Sequence, residues 1–199
     1  VGADRLHQIS GIPNDITPCR TRCRWLSKHE PKIWSRTAKT AEVHGVITHF
    51  LTDEWKTSLS SASPMGLLDA KAYDWSDILL KAARLTRDQL PDLVASGEVM
   101  GEVSAAAAKL TGLKAGTPVV AGGGDGQCAG AGANTFLKGR AYLNLGTAAV
   151  SGSFGHGYAT GSAFRTECAV AEDGYIFETV IRTGTFLVTW MIKELFNAD

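Results

Sequence analysis

Between Thr17 and Arg36 the apolar and aromatic positions fall at Cys19, Cys23, Trp25, Leu26, Ile33 and Trp34, a helical spacing that Pro31 interrupts. A proline fits the first turn of a helix, where its missing N–H costs nothing, so two consecutive helices are expected. Gly45 to Leu51 is a further short helical stretch, and the Ser-rich Thr57 to Ser63 reads as a turn region. From Asp74 to Ala83, Trp75, Ile78, Leu79 and Ala82 recur at helical spacing, with Asp74 placed to cap the start. Ser104 to Leu110 is Ala-rich and helical, with Gly112 near its end.

The texture then changes. Of 22 glycines, 13 lie between Gly116 and Gly161. Thr117 to Ala121 is short, apolar and β-branched, which predicts a buried strand running into Gly122, Gly123, Gly124 and Asp125. Gly126 to Ala133 alternates small residues, and a helix there carries a penalty of about 1 kcal/mol per glycine relative to alanine, so its packing must be close. Arg140 to Asn144 and Ala148 to Phe154 read as strands around the tight turn Leu145–Gly146–Thr147. Arg165 to Val170 and Tyr175 to Val180 flank Glu172–Asp173–Gly174, a hairpin signal. Thr185 to Phe196 is an amphipathic helix. A boundary near residue 137 therefore separates a mainly helical region from the opening meander of a second unit.

Composition narrows the function classes. The formal charge is zero, with 20 basic and 20 acidic side chains, so nothing global points to nucleic acid or an acidic membrane surface. The local run Arg20, Arg22, Arg24 and Lys28 reads as the wet face of a helix. No apolar run is long enough for a membrane span, and no secretory signal is visible. The four cysteines lack zinc-site spacing and are expected as reduced thiols in a cytoplasmic protein. The chain opens on Val1, not Met, and is expected to lack its natural beginning.

Two places carry candidate chemistry. In strand–GGGD–helix, glycines at a strand's carboxyl end allow close approach to the backbone, and the helix start favours an anion at Asp125 or beside it. The alternative is that Asp125 only caps the helix. No Lys-Ser/Thr follows the glycines, so this is not a Walker A loop, and the dinucleotide pattern is absent at this turn. In Leu143–Asn144–Leu145–Gly146–Thr147, a hairpin tip offers N–H groups and a hydroxyl suited to phosphate oxygens, the alternative being an ordinary hairpin.

In this order the two resemble the FGGY carbohydrate kinases. The resemblance extends to Arg24–Trp25–Leu26 with Glu30–Pro31, to Leu51–Thr52, and to Ala62–Ser63 with Gly66–Leu67–Leu68–Asp69. It continues through Trp75, Leu90–Pro91, Gly97, Gly101, Thr111–Gly112–Leu113 and Gly116–Thr117–Pro118–Val119–Val120, up to Gly122–Gly123–Gly124–Asp125. It implies an α/β, actin-like ATPase (ribonuclease H-like) fold of two domains. Residues 1–137 would be the C-terminal part of the first domain and 138–199 the beginning of the second. It implies a kinase that transfers the γ-phosphate of ATP, with Mg2+, to a hydroxyl of a sugar, most similar to the xylulose-kinase branch. Glycerol, ribulose, gluconate or erythritol kinases, or a non-catalytic sugar- or nucleotide-binding relative, are the alternatives.

By the same resemblance Asp125 is the catalytic base, Gly146 and Thr147 bind ATP phosphates, and Gly124, Gly126 and Gln127 meet the substrate. The expected partner is a small-molecule sugar, with a homodimer left open. The sequence departs from the family at Gly126, where relatives often carry Asn or Gln, at Ser58, where they often carry Asp, and near Gly45–Val46, where they often carry Asp-Tyr. The family's first phosphate loop, its early sugar-binding residues and its late adenosine-binding glycines lie outside this sequence. The chain alone is therefore expected to show no turnover and to leave apolar faces exposed.

Overall fold

The computed structural model describes residues 2–171 and 173–196. Helix α1 (Ala3–Ser10) leads to α2 (Cys19–His29) and α3 (Pro31–Trp34), with Pro31 in the first turn as expected. Helix α4 (Val43–Thr52) is capped by the Glu42 carboxylate, which accepts from the Gly45 N–H at 3.2 Å. Next come β1 (Lys56–Ser58), α5 (Leu59–Ala62), β2 (Leu68–Asp69), β3 (Asp74–Trp75) and α6 (Asp77–Ala83). Then follow β4 (Asp92–Val94), β5 (Val99–Glu102), α7 (Ala105–Thr111), β6 (Pro118–Val120) and α8 (Asp125–Gly132). The chain continues with β7 (Ala141–Leu145), β8 (Ala149–Gly155), β9 (Arg165–Cys168), β10 (Tyr175–Ile181) and α9 (Thr185–Phe196).

Several local expectations change. The Ser-rich stretch is not a turn: Thr57, Ser58 and Ser60 are fully buried, β1 pairs in parallel with β4, and the Ser58 hydroxyl caps α5 by accepting from the Ser61 N–H at 3.0 Å. Short hydroxyl side chains can enter a core because they satisfy neighbouring backbone groups. Asp74 does not cap α6, whose N-cap is Ser76; it lies in β3 and pairs with Arg87 at 3.0 Å. Arg20 is not on a wet face but 3% exposed, donating to Gly66 O at 2.9 Å and to Asn14 and Ser10, while Trp25 is 54% exposed. Strand β6 forms, but only as half of a two-stranded antiparallel pair with β5, so Val120 is exposed instead of buried.

The main core holds Cys23, Ala62, Leu67, Leu68, Trp75 and Leu80. From 141 onward a four-stranded antiparallel sheet has the order β7-β8-β10-β9. It is not a simple meander: the 156–164 connection carries the chain past the place beside β8, which β10 takes, so β9 forms the edge. Strands β9 and β10 pair as the hairpin signal predicts, though Glu172 of its tip lies outside the described residues. Apolar side chains stay exposed on α4 (Val46, Ile47, Phe50), β7 (Leu143, Leu145) and around α9.

Candidate active site

The run into Asp125 is held from below by α5. The Gly124 N–H donates to Ser60 Oγ at 3.4 Å, and the buried Gln127 amide donates to Ser60 O at 3.2 Å. A Cβ at Gly123 would collide with Val170, and one at Gly124 with the Gln127 amide, whereas Gly122 faces open space. The second and third glycines thus let the strand end and the helix start press against their neighbours. Gly124 is the N-cap, so Asp125 is not the cap but the first helical residue, and it is exposed. A carboxylate at this position benefits from the helix N-terminus and remains reachable by a ligand.

Helix α8 lies across the sheet, which explains its small residues. Tyr142 of β7, Gly152 of β8, Glu178 of β10 and Arg165 of β9 stand opposite one another in one row across all four strands. The Tyr142 ring lies over Gly152, where a Cβ would sit 2.5 Å from it, and its hydroxyl donates to Glu178. Arg165 donates to Glu178 from the other side, through Nε at 2.7 Å and through Nη2. Gly126, in the first turn of α8, rests on this carboxylate: a Cβ there would lie 2.5 Å from Glu178 Oε2. Gly130 packs in the same way near Ile176 and Tyr142.

The next row holds Glu167 opposite Ile176. Glu167 is fully buried and lies 3.1 Å from Arg165 Nε, but that nitrogen's single proton goes to Glu178, and neither Glu167 oxygen has a hydrogen-bond partner among the described residues. Burial pushes the Glu167 carboxyl up to about 7; Arg165 pulls it down, while Glu178 and Asp125 push it up. Tyr142 is pushed far up, first by burial and then by its bond to Glu178, so it remains a donor.

Glu178 also lines a groove of about 470 Å3, together with Ile12, Asp15, Arg165, Val180 and Arg182. Arg182 donates to Asp15 across it. At the β7–β8 turn, Thr147 is exposed and Gly146 half-buried. The Gly146 N–H is taken by Ala148 O at 2.9 Å, so this donor is already engaged within the turn. The head of α9 braces this turn: Gly184 N–H donates to Thr147 O at 2.7 Å, and the Thr185 N–H and hydroxyl both donate to Gly146 O.

Residues 1–132 match the sequence profile of the FGGY family of carbohydrate kinases, N-terminal domain. The chain belongs to the FGGY family. It is 30% identical over 171 residues to the xylulose kinase of Escherichia coli K12, covering 85% of this chain and 35% of that protein. It is 40% identical over 113 residues to the autoinducer-2 kinase of the same strain, covering 56% of this chain and 21% of that one. It superposes on the crystal structure of xylulose kinase from Rhodospirillum rubrum with a TM-score of 0.92 at 21% identity, covering 99% of this chain and 40% of that one. The fold is thus part of the actin-like ATPase fold of the FGGY kinases, and the chain spans well under half the length of these proteins.

Of the residues expected at the FGGY site, Asp125, Gly124 and Gly126 fall together at the head of α8, while Gln127 turns inward to Ser60. Gly146 and Thr147 sit at the end of the sheet that carries α8. Sequence reasoning missed Tyr142, Arg165, Glu167 and Glu178. A signal was present: Arg165 and Glu167 are two charges on one face of a strand, and alternate residues of a strand share a face.

Proposed function

We propose that the full-length protein is an ATP-dependent kinase that transfers the γ-phosphate to a hydroxyl of a ketopentose such as xylulose. The observation that carries this reading is Asp125, an exposed carboxylate that begins a helix without capping it, on a loop locked to α5. Such a group can accept the proton of an attacking hydroxyl, the base role phosphoryl transfer requires. The groove lined by Asp15, Arg165, Glu178 and Arg182 is of a size suited to a small ligand, and its polar groups suit a polyhydroxy acceptor. Thr147 would meet the β- and γ-phosphates. Among the described residues no group of three His, Cys, Asp or Glu side chains converges on a metal position. Mg2+, a hard cation that prefers oxygen ligands and retains waters, would therefore be carried mainly by the nucleotide phosphates and neutralise their charge.

The likeness to a xylulose kinase over 85% of the chain favours a ketopentose, and the 40% identity to an autoinducer-2 kinase over 113 residues keeps that kinase's acceptor as the second reading. ADP release by the full-length protein over a panel of ketoses, polyols and autoinducer-2 decides between them. Release fastest with a ketopentose is expected, and no sugar-dependent release from any of them would overturn the kinase reading.

Thr147→Val is expected to raise the KM for ATP and lower kcat while leaving the KM for the sugar near its original value. One lost hydrogen bond to a charged phosphate costs about 1.5–3 kcal/mol. Steady-state kinetics with each substrate varied in turn checks this, and unchanged ATP parameters would leave Thr147 with a role only in the turn.

A further inference from the structure

We propose that Cys19 and Cys23, one turn apart at the head of α2, form a dithiol site for trivalent arsenic, a thiophilic centre that both sulfurs grip at once.

The helix places the pair. Residues four apart lie one above the other on the same helical face. Here the two thiols share a hydrogen bond, with the sulfurs 3.5 Å apart. Both are free thiols. Cys23 is 4% exposed and belongs to the main core with Ala62, Leu67 and Trp75. Cys19, the first residue of α2, is half-buried and packs against the edge of that core. One sulfur is thus held from within, and the other sits where a small solute can reach it. The N-cap of α2 is Pro18, and no side chain caps the helix. Its first turn keeps the orphan N–H groups of a helix start and opens more easily than the middle of the helix, which gives access to Cys23.

The gap between the sulfurs selects the ligand. A direct disulfide needs Cβ atoms about 3.5–4.5 Å apart, whereas residues four apart on a helix hold theirs about 5–6 Å apart. Closing that bond would pull the first turn out of shape; a single bridging atom leaves it intact. Two bonds of about 2.3 Å, the length of a zinc–thiolate bond, span about 4.6 Å when opposed and about 3.3 Å when they meet near a right angle. The observed gap therefore fits a bent, pyramidal centre and not a linear two-coordinate ion. A structural zinc ion takes four protein ligands, and among the described residues no group of three His, Cys, Asp or Glu side chains is assembled. Trivalent arsenic is soft enough to prefer sulfur and needs only three partners, so a hydroxide facing solvent completes it. With arsenous acid, two As–S bonds form and two As–OH bonds break. Each departing hydroxide takes the proton of the thiol that replaces it and leaves as water. Nothing is oxidised or reduced.

The test is titration of the reduced full-length protein with sodium arsenite, read by native mass spectrometry. The complex is then unfolded, alkylated with iodoacetamide and cleaved after acidic residues, which keeps Cys19 and Cys23 together on the fragment 16–30. That fragment should carry one arsenic and no alkyl group, and without arsenite it should carry two alkyl groups. Cys19→Ser and Cys23→Ala should each weaken binding by on the order of 100-fold, because the second sulfur acts at an effective concentration in the millimolar range. Cys23→Ala also removes a core side chain, so the fragment from the unaltered protein is the independent measure. In denaturant the pair becomes a dithiol on a flexible chain, and affinity should fall by about tenfold as preorganisation is lost. Undiminished binding by Cys19→Ser, no arsenic on the fragment 16–30, or equal affinity in denaturant overturns the proposal.

Discussion

On the proposed function, Asp125→Asn is expected to lower kcat of the full-length protein by about 10²–10⁴-fold, the usual worth of a positioned general base. The substitution keeps the size and most of the polarity of the side chain but removes its capacity to take a proton. Its effect should be confined to the chemical step, because Asp125 does not hold the loop together. Gly124 supplies the cap, Gln127 and the Gly124 N–H make the bonds to Ser60, and the Asp125 side chain is exposed. The melting temperature and the affinity for ATP should therefore stay near their original values, which separates loss of a base from loss of a fold. Calorimetric titration with ATP and single-turnover transfer to the best sugar would measure both halves. An Asn variant with near-normal single-turnover rate would mean that the sugar hydroxyl loses its proton elsewhere and that neither the basicity nor the charge of Asp125 is needed for transfer.

What could be read from the sequence was what local chemistry fixes. Pro31 marked a helix start, Ser104 and Gly112 bracketed α7, and Gly146–Thr147 marked the turn between two strands. What could not be read depends on partners far away along the chain. The Ser-rich stretch 57–63 has the composition of a turn, yet its burial is decided by β4 and by the GGGD loop, some 35 and 60 residues later. Arg20 looked solvated because it belongs to a basic run with Arg22, Arg24 and Lys28 on one helix, but Gly66 O and Asn14 accept from it inside the structure. The site divides in the same way. Asp125 was singled out as a candidate by a local strand–turn–helix pattern together with the family resemblance, whereas the Tyr142–Gly152–Glu178–Arg165 row exists only through cross-strand register. Register places the row beneath the candidate site, and no short motif records it.

That register also accounts for Gly126, where the family resemblance led to the expectation of Asn or Gln, and predicts what a side chain there would do. Gly126→Ala puts a Cβ 2.5 Å from Glu178 Oε2 and 3.3 Å from the Tyr142 hydroxyl. An exposed glutamate would swing away, but this one is 1% exposed and pinned by Tyr142 on one side and Arg165 on the other. The helix must therefore move instead, which costs about 1–3 kcal/mol as overpacking. The part that moves is the first turn of α8, so Asp125 shifts with it, and a misplacement near 1 Å is enough to cost about 10²-fold in rate. Gly126→Asn, with more atoms to place, should lose at least as much. Gly132, at the other end of the same helix, has nothing within 4 Å of its Cβ position, so Gly132→Ala should be neutral or gain up to about 1 kcal/mol. Comparing kcat and melting temperature for the two alanine variants isolates the contact with Glu178 from the general effect of removing a glycine. A Gly126→Ala enzyme with unchanged kcat and melting temperature would mean that the Glu178 carboxylate yields easily and that the first turn of α8 does not depend on it.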